Sequence, residues 1–279
     1  MQAYSNGARS ASRPSTVASH YQAVERVILA MRERLEESLT LDDLAEIAII
    51  SPYYFDRIFR QITGIPPCQF LAVLRMEAAK RLLLTSSLSV TDICFEVGYN
   101  SLGTFITRFK QLVGLSPSHL RRLANKIDTD CLDQLCEQDG RRIQLLPKGS
   151  GITGRIGIPE GFAGMAFVGL FPASIPQSKP LSCSLQTRSG FYHLPAVADG
   201  SYYILASAFP WSDDPMRYLL PESAALLVGA SRDPIVVHEN EVSGELDITL
   251  RPAQLMDPPI LISLPFLVAA SFEKLREKA

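Results

Sequence analysis

Two stretches of this chain repeat one pattern fifty residues apart. The first runs Ser51-Pro-Tyr-Tyr-Phe55-Asp-Arg57-Ile-Phe59-Arg-Gln61-Ile-Thr-Gly64-Ile-Pro-Pro67, the second Ser101-Leu-Gly-Thr-Phe105-Ile-Thr-Arg108-Phe109-Lys-Gln111-Leu-Val-Gly114-Leu-Ser-Pro117. Ser, Phe, Phe, Gln, Gly and Pro recur at a constant offset. Each copy reads as a capped helix, a glycine stop, and a proline that opens the next helix. The duplication predicts two copies of one helical device.

The helices around the repeat follow from apolar spacing and caps. A first helix is predicted over Tyr21 to Glu37, with Val24, Val27, Ile28, Met31 and Leu35 on one face. Thr40 reads as an N-cap with Asp43 three residues on, an acidic variant of the capping box. Ser51 caps the next helix, Pro52 occupies its first position, and Gly64 ends it. Pro66-Pro67 opens a longer helix to about Leu84, with Phe70, Leu71, Leu74, Ala78 and Leu82 turned inward. The second copy begins at Ser89 with Asp92, turns at Gly98, caps again at Ser101 and stops at Gly114. A last helix runs from Pro117 to about Asn125.

A short helix, a turn and a second helix with an exposed outer face form a helix-turn-helix, whose second helix enters the major groove. The helix between the two copies would be about 27 Å long at 1.5 Å per residue. Adjacent major grooves on one face of a duplex lie about 34 Å apart. With the half-widths of the flanking units, one chain spans both.

The region from Tyr21 to Asn125 resembles the two-unit DNA-binding domain of AraC/XylS-type bacterial transcription regulators. The closing motif carries the likeness: Ile93-Cys-Phe-Glu-Val-Gly98-Tyr-Asn-Ser101-Leu-Gly-Thr-Phe105-Ile-Thr-Arg-Phe109-Lys-Gln-Leu-Val-Gly114-Leu-Ser-Pro117. The resemblance implies DNA-contacting positions at Tyr53, Asp56 and Arg57, with Arg60 near phosphate, in the first recognition helix. Arg57 is the candidate for a bidentate guanine contact, and Asp56 for cytosine N4 or for orienting Arg57. In the second helix it implies Leu102, Gly103, Ile106 and Thr107. Many relatives carry polar residues there, often Arg where this chain has Thr107. Leu102 and Ile106 can touch thymine methyls but cannot read a hydrogen-bond pattern, so the first unit is expected to carry most base readout. Lys110, Arg121 and Arg122 are candidate phosphate partners. Some relatives use a cysteine-zinc site ahead of the helices; no cysteine precedes Cys68, which sets that branch aside.

From Ile152 the pattern changes to short β-rich runs broken by Gly and Pro: Ile152 to Ile158, Met165 to Phe171, Ser182 to Gln186, Phe191 to Leu194, Ser201 to Phe209, Ile235 to Val237 and Glu245 to Leu250. Such runs predict an antiparallel β-sandwich. The stretch Ser189 to Ala206 resembles the regulatory sandwich beside carboxypeptidases, though Thr187 stands where that pattern often has an acid. His193 and His238 are read as structural, since neither a nucleophile elbow nor a phosphate-binding glycine loop accompanies them. Trp211, Tyr202, Tyr203, Phe209 and Tyr218 either line a sugar or apolar pocket or belong to core and rim.

The expected architecture is multidomain, all-α then β. Residues 1–19 form a disordered tail, 20–126 the tandem helix-turn-helix domain, and 127–150 a partly helical linker. Residues 151–251 form the sandwich, and 252–279 an apolar segment with a short helix that docks back on the protein or on a second subunit. Charge agrees with this division. Residues 20–126 carry 13 Lys and Arg against 11 Asp and Glu, whereas 127–279 carry 12 against 18. The basic excess falls where phosphates would lie. The five scattered cysteines include no CxxC pair, which argues against zinc and disulfides and for a reducing, cytoplasmic setting. The longest apolar run, Ile260 to Ala270, is broken by Pro265 and short of the roughly 20 residues that span a bilayer. No signal peptide, membrane partner, catalytic residue or cofactor is expected. Double-stranded DNA is the expected partner, with RNA polymerase, a small-molecule effector and a second copy of the chain as further candidates. A sequence-neutral architectural DNA binder, and an enzyme or sugar-binding module tethered to DNA, are the rival readings.

Overall fold

The computed structural model describes residues 14–125, 151–176, 180–195, 197–239 and 241–262. The expected linker helix after Ile127 and the C-terminal helix lie outside these residues.

Among the described residues, seven helices precede the strands: α1 (Pro14–Glu33), α2 (Leu41–Ala48), α3 (Pro52–Thr63), α4 (Pro67–Thr85), α5 (Val90–Glu96), α6 (Leu102–Val113) and α7 (Pro117–Ala124). Helix α1 begins a full turn and more before Tyr21, so residues 14–19 are helical rather than part of a tail. A proline suits the first helical position because its missing N–H needs no partner there. The helix also stops at Glu33 rather than Glu37. The guanidinium of Arg75 takes the carbonyls of Leu35 (2.8 Å) and Glu37 (2.6 Å), which holds this segment in a turn.

Both expected capping boxes are present. The Thr40 hydroxyl accepts from the Asp43 amide while the Asp43 carboxylate accepts from the Thr40 amide, and Ser89 and Asp92 repeat the arrangement. The two recognition helices start differently. Ser101 Oγ accepts from the Thr104 amide, but the Ser51 hydroxyl makes no cap bond to a helix that opens on Pro52. Gly64 and Gly114 end their helices in the left-handed conformation. The paired phenylalanines of each copy are buried at ring distances of 5.5 Å (Phe55–Phe59) and 5.8 Å (Phe105–Phe109).

Helix α4 departs from the one-faced amphipathic rod that the sequence suggests. Phe70, Leu71, Val73, Leu74, Met76, Ala79, Lys80 and Leu83 are all buried, on several sides of the helix, while Ala78 and Leu82 are only partly so. The reason is position: α4 packs against each of the other six helices.

The second half contains β1 (Gly151–Gly157), β2 (Gly164–Phe171), β3 (Ser182–Gln186), β4 (Gly190–Pro195), β5 (Gly200–Pro210), a short helix α8 (Met216–Leu219), β6 (Leu227–Ala230), β7 (Ile235–His238), β8 (Glu241–Ser243), β9 (Ile248–Thr249) and β10 (Arg251–Pro252). One sheet has the order β4-β1-β9, with β9 parallel to β1. The other runs β10-β6-β5-β2-β3, and β7 pairs with β5 and with β8. Strands β6 and β8 were not anticipated, and only Ile248–Thr249 of the expected run Glu245 to Leu250 pairs as a strand beside β1. All eight residues of β2 are buried. Ala166, Val168 and Leu170 meet the smaller sheet's Ile152, Tyr192 and Leu194 in one cluster. Met165, Phe167 and Phe171 join a second cluster with Tyr218 and Leu219 of α8, and that cluster is continuous with the helical core.

Of the two readings left open for the aromatics, one shared pocket and core-and-rim positions, the described residues favour the second. Phe209 and Tyr218 are buried with ring centroids 6.5 Å apart, whereas Tyr202 donates to the Ala198 carbonyl at the edge of the other cluster.

Gly98 and Gly64 share a left-handed backbone, φ +78° and +79°, but not the same surroundings. A Cβ at Gly98 would stand 2.5 Å from the Leu35 carbonyl oxygen that Arg75 holds, and a Cβ at Gly64 would meet nothing within 4 Å. Gly64→Ala is expected to cost about 1–2 kcal/mol from backbone strain alone. Gly98→Ala should cost about 3 kcal/mol or more, because the clash adds to the strain. Urea unfolding of the two variants measures the difference, and equal losses would remove the clash from the account.

Candidate nucleic-acid interface

The outer faces of α3 and α6 follow from the helical repeat. With Phe55, Ile58 and Phe59 buried, Tyr53, Arg57 and Arg60 are exposed and Asp56 lies between. Tyr53 is 84% exposed, unusual for a large aromatic. On α6, burial of Phe105 and Phe109 leaves Gly103, Ile106, Thr107 and Lys110 outside. Ile106 is 37% exposed.

The side chains on α3 are organised by two local interactions. Asp56 Oδ2 accepts from Arg60 Nε at 2.8 Å, one helical turn on. Asp56 therefore orients Arg60, and the expectation that it orients Arg57 is corrected. An i,i+4 pair has the natural geometry for this contact, which i,i+1 neighbours lack. The Arg57 guanidinium instead lies over the Tyr54 ring, 4.8 Å from its centroid. Tyr54 is held from the other side by His20 of α1, with Oη to Nε2 at 3.3 Å and the rings edge-on. The three residues form a stack from α1 to the rim of α3, ending in a guanidinium whose donors meet no acceptor among the described residues.

Helix α6 is arranged differently. The Thr107 hydroxyl donates to the Gly103 carbonyl at 2.9 Å, so it is turned to its own backbone. Leu102 is half-buried and packs against the core, which leaves Ile106 as the more accessible apolar side chain on this face. Arg108 donates to Gln111 Oε1 at 3.3 Å.

The arginines of this half divide by what their guanidinium groups meet. Arg121, read from sequence as a phosphate partner, donates to the carbonyls of Leu83 (3.1 Å) and Leu88 (2.8 Å) and ties α7 to the end of α4. Arg26 of α1 donates to Ile47 O and Ala48 O at the end of α2. Arg75 joins α4 to the turn after α1 and faces Tyr99, 5.9 Å from the ring centroid. These three roles were missed from sequence. For Arg75 a signal existed, a charged residue inside a long apolar helix, which must find a partner when buried. For Arg26 and Arg121 no local signal existed.

A helix-turn-helix domain family matches residues 44–123, from α2 through α7. The HTH-type transcriptional activator AarP of Providencia stuartii is 31% identical over 109 residues, 39% of this chain and 80% of AarP. The chain belongs to the AraC family of helix-turn-helix transcription regulators. The bifunctional transcriptional activator/DNA repair enzyme AdaA of Bacillus subtilis is 36% identical over 93 residues, 33% of this chain but only 44% of AdaA. Among solved structures, the DNA-binding domain of AdpA in complex with a target DNA is 33% identical and covers 37% of this chain and 96% of that one, with a TM-score of 0.36. The AraC-family match thus lies on the helical half, and the sheet-rich half falls outside residues 44–123.

Within this AraC-family domain, the described residues contain no group of three His, Cys, Asp or Glu placed to hold a metal ion. Among the same residues no helix is long and apolar enough to cross a membrane.

The division of arginines is testable. Arg121→Ala removes a charged donor from two carbonyls, one of them part-buried, and is expected to cost about 1.5–3 kcal/mol of stability. Its exposed neighbour Arg122→Ala should stay within about 0.5 kcal/mol of the parent. Denaturant midpoints compare them, and similar midpoints would return Arg121 to the solvated surface.

Proposed function

We propose that this chain is a sequence-specific transcription regulator that sets α3 and α6 into successive major grooves of one duplex. The observation that carries the reading is that both helices turn an exposed outer face from a single core built around α4. The match to the AraC-family domain supports it. At 19 residues α4 is about 28 Å long. That length, with the units at its ends, suits grooves about 34 Å apart.

In this reading Arg57 leaves its stack on Tyr54 and takes a guanine bidentately, the commonest specific contact. Tyr53 reaches base edges or sugar, and Asp56 holds Arg60 against a phosphate. On α6, Gly103 lets the backbone approach, Ile106 meets a thymine methyl with Leu102 at its margin, and Lys110 and Arg122 meet phosphates. Thr107 adds little base readout, because its hydroxyl already bonds Gly103. Phosphate contacts supply most affinity and Arg57 most discrimination.

The sheet-rich half is the regulatory part. We read its two facing sheets as a sandwich of the carboxypeptidase-regulatory kind, on the stretch Ser189 to Ala206 that contains β4 and the start of β5. It senses an effector or pairs with a second copy, and RNA polymerase is the further partner at the promoter. The reading contains no catalytic step.

Arg57→Ala is expected to weaken binding at the selected operator by about 1–3 kcal/mol, and binding to random duplex far less. Lys110→Ala should weaken both alike and lower the salt slope by about one. Operators come from selection out of a random pool, and affinities from competition against random DNA. Hydroxyl-radical footprints should show two protected patches one turn apart. One patch, or an Arg57 loss equal on both DNAs, would end the two-groove reading or the Arg57 assignment respectively.

A further inference from the structure

The helical and sheet-rich halves meet along the segment 253–262, which leaves β10 and lays Leu261 and Ile262, both buried, into the core shared with the helices. Two cavities open beside this strap. The larger, about 610 Å³, lies between the end of α3 and the sheet. Two of its buried hydroxyls are already engaged, Thr63 with Phe59 O and Ser231 with the Ile204 amide. Arg251 and Asp257, which also line it, form a two-pronged ion pair at 2.7 Å. Among the described residues no buried charged side chain lines it.

The smaller cavity, about 400 Å³, differs in one respect. Its wall includes Lys80, on the central helix and only 3% exposed. The ammonium donates to the Leu261 carbonyl at 2.9 Å. An ammonium has three donors, and among the described residues this carbonyl is its acceptor. Among the described residues, each charged group that lines the cavity with it can be placed. From α1 comes Arg32, bound to Glu77 of α4 at 3.1 Å. From α4 come that committed Glu77 and the exposed Arg81. From the strap comes Asp257, committed to Arg251. The pairs cancel, which leaves Lys80 and Arg81 as the uncompensated cations around the cavity. The remaining wall is largely apolar, with Leu226 and Leu255 typical of it. The volume lies within the range of small-molecule sites, which combine apolar walls with a few placed polar groups.

We infer that this cavity binds a small amphiphilic monoanion, a carboxylate on an apolar body, with the charged group at Lys80 and Arg81 and the body against the leucine wall. Such a ligand bridges α4 and the strap, and so fastens the two halves of the chain to each other. The inference goes beyond the DNA-reading proposal and does not depend on it. Electrostatics supports the geometry. Burial pulls the Lys80 ammonium down to about 7, with Glu77 opposing. The empty site is therefore half-charged near neutrality. An anion stabilises the charged form, so binding takes up a proton above that pH and weakens as pH rises.

The test uses the full chain and octanoate, which stays ionised above pH 6, with octan-1-ol and inorganic phosphate as comparison probes, followed by calorimetry. Octanoate should bind one site at least tenfold more tightly than octanol. Its affinity should fall about tenfold per pH unit above pH 7. The heat at pH 8 should vary with buffer ionisation enthalpy, as proton uptake requires. Lys80→Met, checked for folding by circular dichroism, should lose both the preference for octanoate and the pH dependence. Arg81→Gln, at an exposed position, should weaken octanoate severalfold and leave octanol unchanged; this arm holds even where the Lys80 variant does not fold. Equal binding of octanoate and octanol, affinity independent of pH, or no binding at millimolar concentration would overturn the proposal. Phosphate binding more tightly than octanoate would overturn the amphiphilic choice.

Discussion

The burial of α4 on several sides is the constraint from which the helical half follows. A surface helix buries one stripe and can tilt or slide at modest cost. Helix α4 instead contacts all six of its neighbours. Each fully buried large apolar side chain along it contributes about 1.5–3 kcal/mol. Any bend that relieved one contact would open another in an interior packed like a crystal. The two helix-turn-helix units, α2–α3 and α5–α6, therefore share a frame without a hinge, and the Phe59–Phe70 ring contact at 5.5 Å locks the first of them to it.

Arginine finishes what apolar packing begins. Helix ends and turns leave carbonyls without partners. Arg26, Arg75 and Arg121 each donate to two of them across 21 to 40 residues of sequence. A planar guanidinium suits this role, because its donors are fixed in a fork while its stem packs along the core. The consequence for recognition is one of accounting: cations spent on the scaffold are not available to phosphates. The exposed cations that remain include Arg57 and Arg60 on α3, Lys110 on α6 and Arg122 on α7.

What was legible in the sequence was local. Caps at Thr40 and Ser89, glycine stops at Gly64 and Gly114, and the phenylalanine pairs depend on residues within a few positions of one another, and the helices they bound appeared close to where they were expected. What was not legible was nonlocal. The role of Arg121 and the scattering of Trp211, Tyr202, Tyr203, Phe209 and Tyr218 are decided by neighbours far along the chain. Asp56 is instructive, because sequence named it as a site residue and offered it cytosine N4 or the adjacent Arg57 as partner. Helix geometry favours the residue one turn away, and Arg60 takes the contact. In the sheet-rich half, β2 read simply as an apolar run. Its burial at every position reflects two cores, one on each side, which alternation along a single strand does not disclose.

The two-sided burial of β2 also explains why the halves are not independent beads. Its inner face belongs to the sheets, and its outer face reaches the helical core through α8, Ile175 and the strap. Apolar contact is indifferent to direction, so by itself it would let the strap slide along α4. The hydrogen bond from Lys80 to Leu261 fixes the register, at the expense of desolvating an ammonium. A methionine of similar length would fill the space without that penalty. A cation in this place makes the seam between the halves sensitive to charge, whereas the rest of the core responds only to shape.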